Sequence, residues 1–151
     1  MSTKILFVCH GNICRSPMAE FVMKDLVARE GLSESFVIAS AATSRDELGN
    51  CVYGPAREVL SKHSIGCEGK RARLLTREDY EEWDYIVGMD EENRRNMLRL
   101  FDGDPARKVS LLLDYAGGGR EVADPWYTRR FDIAYRDIEE GCTALLEALV
   151  S

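Results

Sequence analysis

Short apolar runs alternate with helix-forming segments along the whole 151-residue chain, and that alternation restricts the fold more than any other feature. Lys4-Ile5-Leu6-Phe7-Val8 reads as a buried strand bounded by a glycine-containing turn. Ser16 as an N-cap with Pro17 at the first helical position predicts a helix start. Met18, Phe21, Val22 and Leu26 follow at helical spacing, and Gly31 ends the run. Residues 36–39 predict a second strand, and the small and polar residues 40–50 a loop. A helix is expected over 55–63, a short one near 77–83, a third strand at 85–87, and a helix capped by Asp90 running to Leu100. Residues 109–113 predict a fourth strand, and Gly117-Gly118-Gly119 a flexible loop. The chain closes on an amphipathic helix with Phe131, Tyr135, Ile138, Cys142, Leu145 and Leu149 as its stripe.

Strands that alternate with helices imply an α/β domain whose parallel sheet is covered on both faces. Right-handed crossovers then favour an open, doubly wound, four-stranded arrangement of the flavodoxin or Rossmann kind. No repeat, low-complexity tract or linker interrupts it, so residues 1–151 are expected to form one domain. A chain of about 150 residues buries roughly 70% of its unfolded surface and can build a core without staples.

The formal net charge of −6 argues against a nucleic-acid scaffold, which would be basic. No apolar run reaches the roughly 18 residues a membrane span requires. Ile5 to Val8 is too short for a signal-peptide core. Five irregularly spaced cysteines suit a reducing compartment better than a disulfide framework, so the chain is expected to be soluble and cytoplasmic. His10 and His63 are the two histidines, and no spacing suggests a metal site or a cofactor.

Ligands of open α/β sheets bind outside the carboxyl ends of the strands, and the first such end is Cys9-His10-Gly11-Asn12-Ile13-Cys14-Arg15-Ser16. A cysteine six residues before an arginine can wrap an oxyanion, with a thiolate as nucleophile and a guanidinium as bidentate donor. Amides of a loop entering a helix add donors, and the same donors favour the thiolate form. Gly11 permits unusual backbone angles and Asn12 tolerates the left-handed conformation, both suited to a tight cradle. The spacing alone is weak: five cysteines and 15 arginines in 151 positions give about half a match by chance. Three occur, at Cys9/Arg15, Cys51/Arg57 and Cys67/Arg73. Only the first follows an apolar strand and precedes a helix start. The second contains Tyr53 and Pro55 and runs into a helix, and the third contains Glu68, whose charge opposes a phosphate.

Residues 8–17 resemble the N-terminal signature of the low-molecular-weight protein tyrosine phosphatases. Ser40-Ala41-Ala42-Thr43-Ser44 with Gly49-Asn50 is similar to that family's second loop, and Asp124-Pro125-Trp126-Tyr127 to its acid loop. The resemblance implies a cysteine-dependent, metal-independent phosphatase. Cys9 would attack phosphorus, while Arg15 and the loop residues His10, Gly11, Asn12, Ile13 and Cys14 hold the phosphate. Asp124 would serve as general acid and then base. Its rival Asp104-Pro105 sits among turn formers and reads as structural. Ser16, Ser40 and Asn12 match supporting positions, and Cys14 matches a redox partner of the nucleophile. Trp126 and Tyr127 would wall an aryl slot beside Ile13. Asp46 stands where eukaryotic relatives carry an aromatic, and it leaves that rim charged. Phosphotyrosine proteins are the implied substrates, with inorganic phosphate or vanadate as inhibitors.

Three alternatives fit less well. Arsenate reductases of this superfamily use further cysteines, and residues 81–90 contain none. Phosphoarginine phosphatases usually carry threonine where this chain has Ile13. A silent phosphotyrosine-binding module would lack the nucleophile or the acid. Cys142 lies on an apolar stripe and reads as structural, while Cys51 and Cys67 carry no assigned role.

Overall fold

A computed structural model describes residues 2–150. Strand β1 (Thr3–Cys9) leads through the turn into helix α1 (Arg15–Arg29), and β2 (Phe36–Ala42) follows. Next come α2 (Gly54–Lys62), the short α3 (Asp79–Glu82), β3 (Tyr85–Gly88) and α4 (Glu91–Phe101). The chain ends with β4 (Val109–Leu111), a 3-10 turn at Leu112–Ala116, the one-turn α5 (Pro125–Thr128) and α6 (Phe131–Val150). The four strands are parallel in the order β2-β1-β3-β4, as the alternation requires.

The sheet's two faces follow from the two-residue period of β1. Ile5, Phe7 and Cys9 join the core built with α1, α2 and α6. Leu6 and Val8 join the opposite core, with Tyr80, Trp83, Met97 and Phe101 from the α3 and α4 side. Ile5, Leu6, Phe7 and Val8 are all fully buried, each worth roughly 1.5–3 kcal/mol. On α6 the expected stripe is buried at Phe131, Tyr135, Ile138, Cys142 and Leu145, and Leu149 is partly covered. Gly141 lets that helix close on the 3-10 turn, since a Cβ there would stand 2.5 Å from Leu112 Cγ.

Three local expectations are corrected. Ser16 does not cap α1: the N-cap is Cys14, and Ser16 lies inside the first turn with its hydroxyl beside Cys9. Strand β2 continues three residues past Ala39, because Ala42 pairs with the 73–74 segment through its N–H to Arg73 O (2.7 Å) and receives Leu75 N–H (2.8 Å). Strand β4 stops at Leu111, where Asp114 Oδ2 accepts the Leu111 N–H at 3.0 Å and closes the 3-10 turn. Asp90 does cap α4, accepting from Asn93 N at 2.8 Å.

Strand order reverses at β1, whose successors β2 and β3 lie on opposite sides. The crevice at its carboxyl end is therefore the topological switch point, and the Cys9–Arg15 turn occupies it. Among the described residues no helix is long and apolar enough to cross a membrane.

Candidate active site

The turn after β1 is held from outside by its carbonyls. Cys9 O accepts from Thr43 N (3.0 Å), His10 O from Ser44 N (3.0 Å) and Ile13 O from Tyr53 N (2.9 Å). A planar trans peptide aims its N–H opposite its carbonyl, so these supports turn the His10, Gly11 and Cys14 amides into the loop. Among the described residues, no acceptor takes a hydrogen bond from the N–H groups of residues 10–15. Such convergent free amides at a helix N-terminus form an anion-binding nest.

Asn12 supplies the reversal with φ 59°, whereas Gly11 does not use positive φ, contrary to the reading of its flexibility. A Cβ at Gly11 would make only ordinary contact with Glu47 Cγ, at 3.4 Å. Beneath the loop Asn12 is 1% exposed. Its Nδ2 donates to Ser16 Oγ (2.8 Å) and Ser40 Oγ (2.9 Å), and its Oδ1 accepts the Arg73 N–H (3.1 Å). The Ser40 hydroxyl donates to buried Glu20 at 2.6 Å, and Lys24 pairs with the same carboxylate at 2.7 Å. Cys9 Sγ lies 3.0 Å from Ser16 Oγ and accepts from Ser16 N at 3.4 Å.

Arg15 is almost wholly buried. Nη1 donates to Asp90 Oδ2 (2.7 Å) and Val122 O (2.9 Å), and Nη2 stands 3.5 Å from Asp124 Oδ2. Burial alone would lower its pKa, but the charges of Cys9, Asp90 and Asp124 more than offset that and raise it. The guanidinium is thus a fixed cation. Asp124 is the N-cap of α5, with Oδ1 accepting from Trp126 N at 3.0 Å. Asp104 is engaged elsewhere, accepting from Tyr80 Oη (2.6 Å) and from the Lys108 and Val109 amides, so its structural reading stands.

A cavity of about 200 Å³ opens above the turn. It is lined by Cys9, His10, Gly11, Ile13, Cys14 and Arg15 of the turn, by Asp124, Trp126 and Tyr127, and by Asp46 with Glu47. Asn12, Ser16 and Ser40 lie beneath, bonded as described. Every residue expected at the site is therefore in or beneath this cavity. At the rim Asp46 Oδ2 pairs with His10 Nε2 at 3.0 Å, and that hydrogen bond with one from the Ser44 hydroxyl lowers its pKa. Sequence reasoning missed Asp90 as the Arg15 partner, Glu20 beneath Ser40, and Tyr53 as a support of the loop. Asp90's position just past β3, on the same sheet edge, is the signal that was available.

A family model described as low molecular weight phosphotyrosine protein phosphatase matches residues 4–151. The low molecular weight protein-tyrosine-phosphatase YfkJ of Bacillus subtilis is 35% identical over 147 residues, which cover 96% of this chain and 94% of the relative. The low molecular weight phosphotyrosine protein phosphatase of Rattus norvegicus is 39% identical over 97% of this chain and 95% of its own. Among solved structures, YfkJ superposes with a TM-score of 0.94 at 35% identity, over 99% of this chain and 95% of that one. SP-PTP from Streptococcus pyogenes gives 0.89 at 38% identity, over 99% and 94%.

Proposed function

Since the chain belongs to the low molecular weight phosphotyrosine protein phosphatase family and is a protein-tyrosine phosphatase, we propose that Cys9, Arg15 and Asp124 carry its chemistry through a cysteinyl-phosphate. The observation that carries this reading is the set of inward His10, Gly11 and Cys14 amides beside a buried thiol and a buried guanidinium. A phosphate dianion seated there receives backbone donors and Arg15 on its equatorial oxygens. Cys9 sulfur attacks phosphorus, the bond to the phenolic oxygen breaks, and Asp124 gives that oxygen its proton. Water then attacks the cysteinyl-phosphate with Asp124 as base, releasing inorganic phosphate and restoring the thiolate. Donors fixed before reaction, rather than moved during it, supply most of the rate.

Trp126, Tyr127 and Ile13 form apolar walls for a flat aryl group, and this favours phosphotyrosine in proteins over phosphoserine. Inorganic phosphate and vanadate fit the nest as inhibitors. Burial, then the charges of Cys9 and Asp124, push the Cys14 thiol up to about 12, so it stays protonated at neutral pH. We assign it as the partner of an oxidised Cys9. Peroxide converts the Cys9 thiolate to a sulfenic acid, Cys14 sulfur attacks that sulfur, and water leaves as the disulfide forms. The need to keep Cys9 reduced places the working enzyme in the cytoplasm.

The test is hydrolysis of phosphotyrosine, phosphoserine and phosphoarginine peptides by purified protein. Phosphotyrosine should be preferred, vanadate should inhibit, and Cys9→Ser should abolish turnover. Full activity in Cys9→Ser would remove the proposed nucleophile.

A further inference from the structure

We infer that Tyr53 is a positioning residue that couples the phosphate loop to the acid loop, an inference that rests on the roles proposed above for Cys9 and Asp124. Its backbone and side chain act on different loops. The N–H donates to Ile13 O at 2.9 Å and so turns the following Cys14 amide inward. The ring lies 5.0 Å from that of Trp126, tilted by 52°, and 5.9 Å from Phe131. The hydroxyl accepts from Arg129 Nη1 at 3.4 Å, and the Arg129 guanidinium in turn sits 5.5 Å from the Trp126 ring.

Trp126 and Asp124 move together. The Trp126 N–H is bonded to Asp124 Oδ1, Tyr127 N–H to Asp124 O, and Arg129 N–H to Pro125 O at 2.8 Å. Residues 124–129 are therefore one rigid turn carrying the carboxylate at one end and the indole on its side. Arg129 closes the turn in the left-handed region, φ 62°, a conformation a non-glycine residue adopts only where its surroundings impose it. The turn is anchored upstream at Val122, through Met89 O and Arg15, and downstream at Phe131 on α6. Between those anchors the Tyr53 ring and the Arg129 guanidinium, bonded to each other, both pack against the indole. A shift of the indole carries the Asp124 carboxylate with it, away from the leaving oxygen.

This division makes a separable prediction, because every variant at Tyr53 other than proline keeps the N–H that supports the phosphate loop. The experiment compares kcat/KM for phenyl phosphate, a poor leaving group that needs the acid, with that for p-nitrophenyl phosphate, a good one. The inhibition constant of inorganic phosphate is measured alongside. Tyr53→Ala should leave phosphate inhibition within about twofold and should lower phenyl phosphate turnover about tenfold more than p-nitrophenyl phosphate turnover, on the scale of a misplaced general acid. Tyr53→Phe keeps the ring and should recover most of that gap, while Arg129→Ala should open part of it. Equal losses on both substrates with weakened phosphate inhibition, or no change at all, would overturn the inference. If Tyr53→Ala does not fold, Arg129→Ala decides it: no widened gap in that variant overturns the inference. A wild-type protein inactive on both substrates would instead strike the catalytic assignment itself.

Discussion

Asn12 Nδ2 donates to Ser16 Oγ at 2.8 Å, and the direction of that bond decides where the Ser16 proton goes. The amide cannot be flipped, because its oxygen takes the Arg73 N–H, a group that only donates. With its oxygen already accepting, Ser16 is left to aim its one proton at Cys9 Sγ, 3.0 Å away. Ser40 shows the same logic, accepting from Asn12 and donating to Glu20. Asn12→Asp is nearly isosteric yet reverses this polarity. A carboxylate would draw the Ser16 proton to itself and add negative charge beneath the sulfur. The expected result is a fall in kcat/KM of about a hundredfold, as for the loss of one fixed donor to a reacting anion. Inactivation by iodoacetate at fixed pH should slow with it, while the far-UV circular dichroism stays native. Unchanged alkylation would show that Asn12 does not set the direction of the Ser16 proton.

Arg15 and Asp90 form the second relationship on which the site depends. Asp90 uses Oδ1 to cap α4 and Oδ2 to hold Arg15, whose side chain is 3% exposed. Asp90→Ala removes both at once. A lost cap costs about 1 kcal/mol and breaking a buried pair about 3–5 kcal/mol, so the variant should lose at least about 3 kcal/mol in urea unfolding. Asp90→Asn keeps the cap acceptor and should lose less stability, but the loosened guanidinium should still weaken phosphate inhibition. Equal stabilities for the two variants would mean that the cap adds nothing to the fold.

The line between what the chain's text revealed and what it hid runs between local and distant contacts. The phosphate turn was legible because its nucleophile, amides and guanidinium lie within seven consecutive residues, Cys9 to Arg15, after an apolar strand. Ser16 does not cap the helix as its Ser-Pro signal predicts, because its hydroxyl is taken up by Cys9 sulfur, seven residues back, the supporting contact that the family resemblance implies. Strand β2 was cut short because Ser40, Ala41 and Ala42 lack apolar bulk, though all three are fully buried. Asp90 read as a helix cap and is one, but its hold on Arg15 spans 75 positions. Glu20 and Tyr53 were invisible for the same reason: each acts on a partner that only the folded sheet brings near.

Asp46 marks where this chain departs from an aromatic rim. Its carboxylate is paired with His10 across the mouth of the cavity. Asp46→Tyr would replace a solvated carboxylate, hydrogen-bonded to His10, with a ring able to stack on an aryl substrate. KM for p-nitrophenyl phosphate should fall several-fold with little change in kcat, since the new contact exists equally in the ground and transition states. An unchanged or higher KM in Asp46→Tyr would place the bound aryl group away from this rim.

Alkaline stability follows from the two buried thiols that flank the nucleophile's helix. Cys14 is pushed up to about 12 by burial first and then by the charges of Cys9 and Asp124, from an ordinary value of 9.0. Cys142, fully buried against α1 with its sulfur 3.7 Å from Ala19 O, is raised further by burial and then by Glu139. Above pH 9 the unfolded chain releases these protons while the folded chain keeps them. The native state then binds more protons, so stability falls as pH rises, by up to about 1.4 kcal/mol per pH unit for each thiol. The interval from pH 9 to 10 separates this effect from Tyr135, which is also pushed up to about 12 but ordinarily titrates near 10. Urea unfolding across that interval should show the wild type losing stability faster than Cys142→Ala, whatever the offset between them at pH 8. The difference between the two curves cancels contributions from every other group, including Lys70, whose pKa burial shifts downward. Parallel curves would mean that the Cys142 proton is not retained in the folded state.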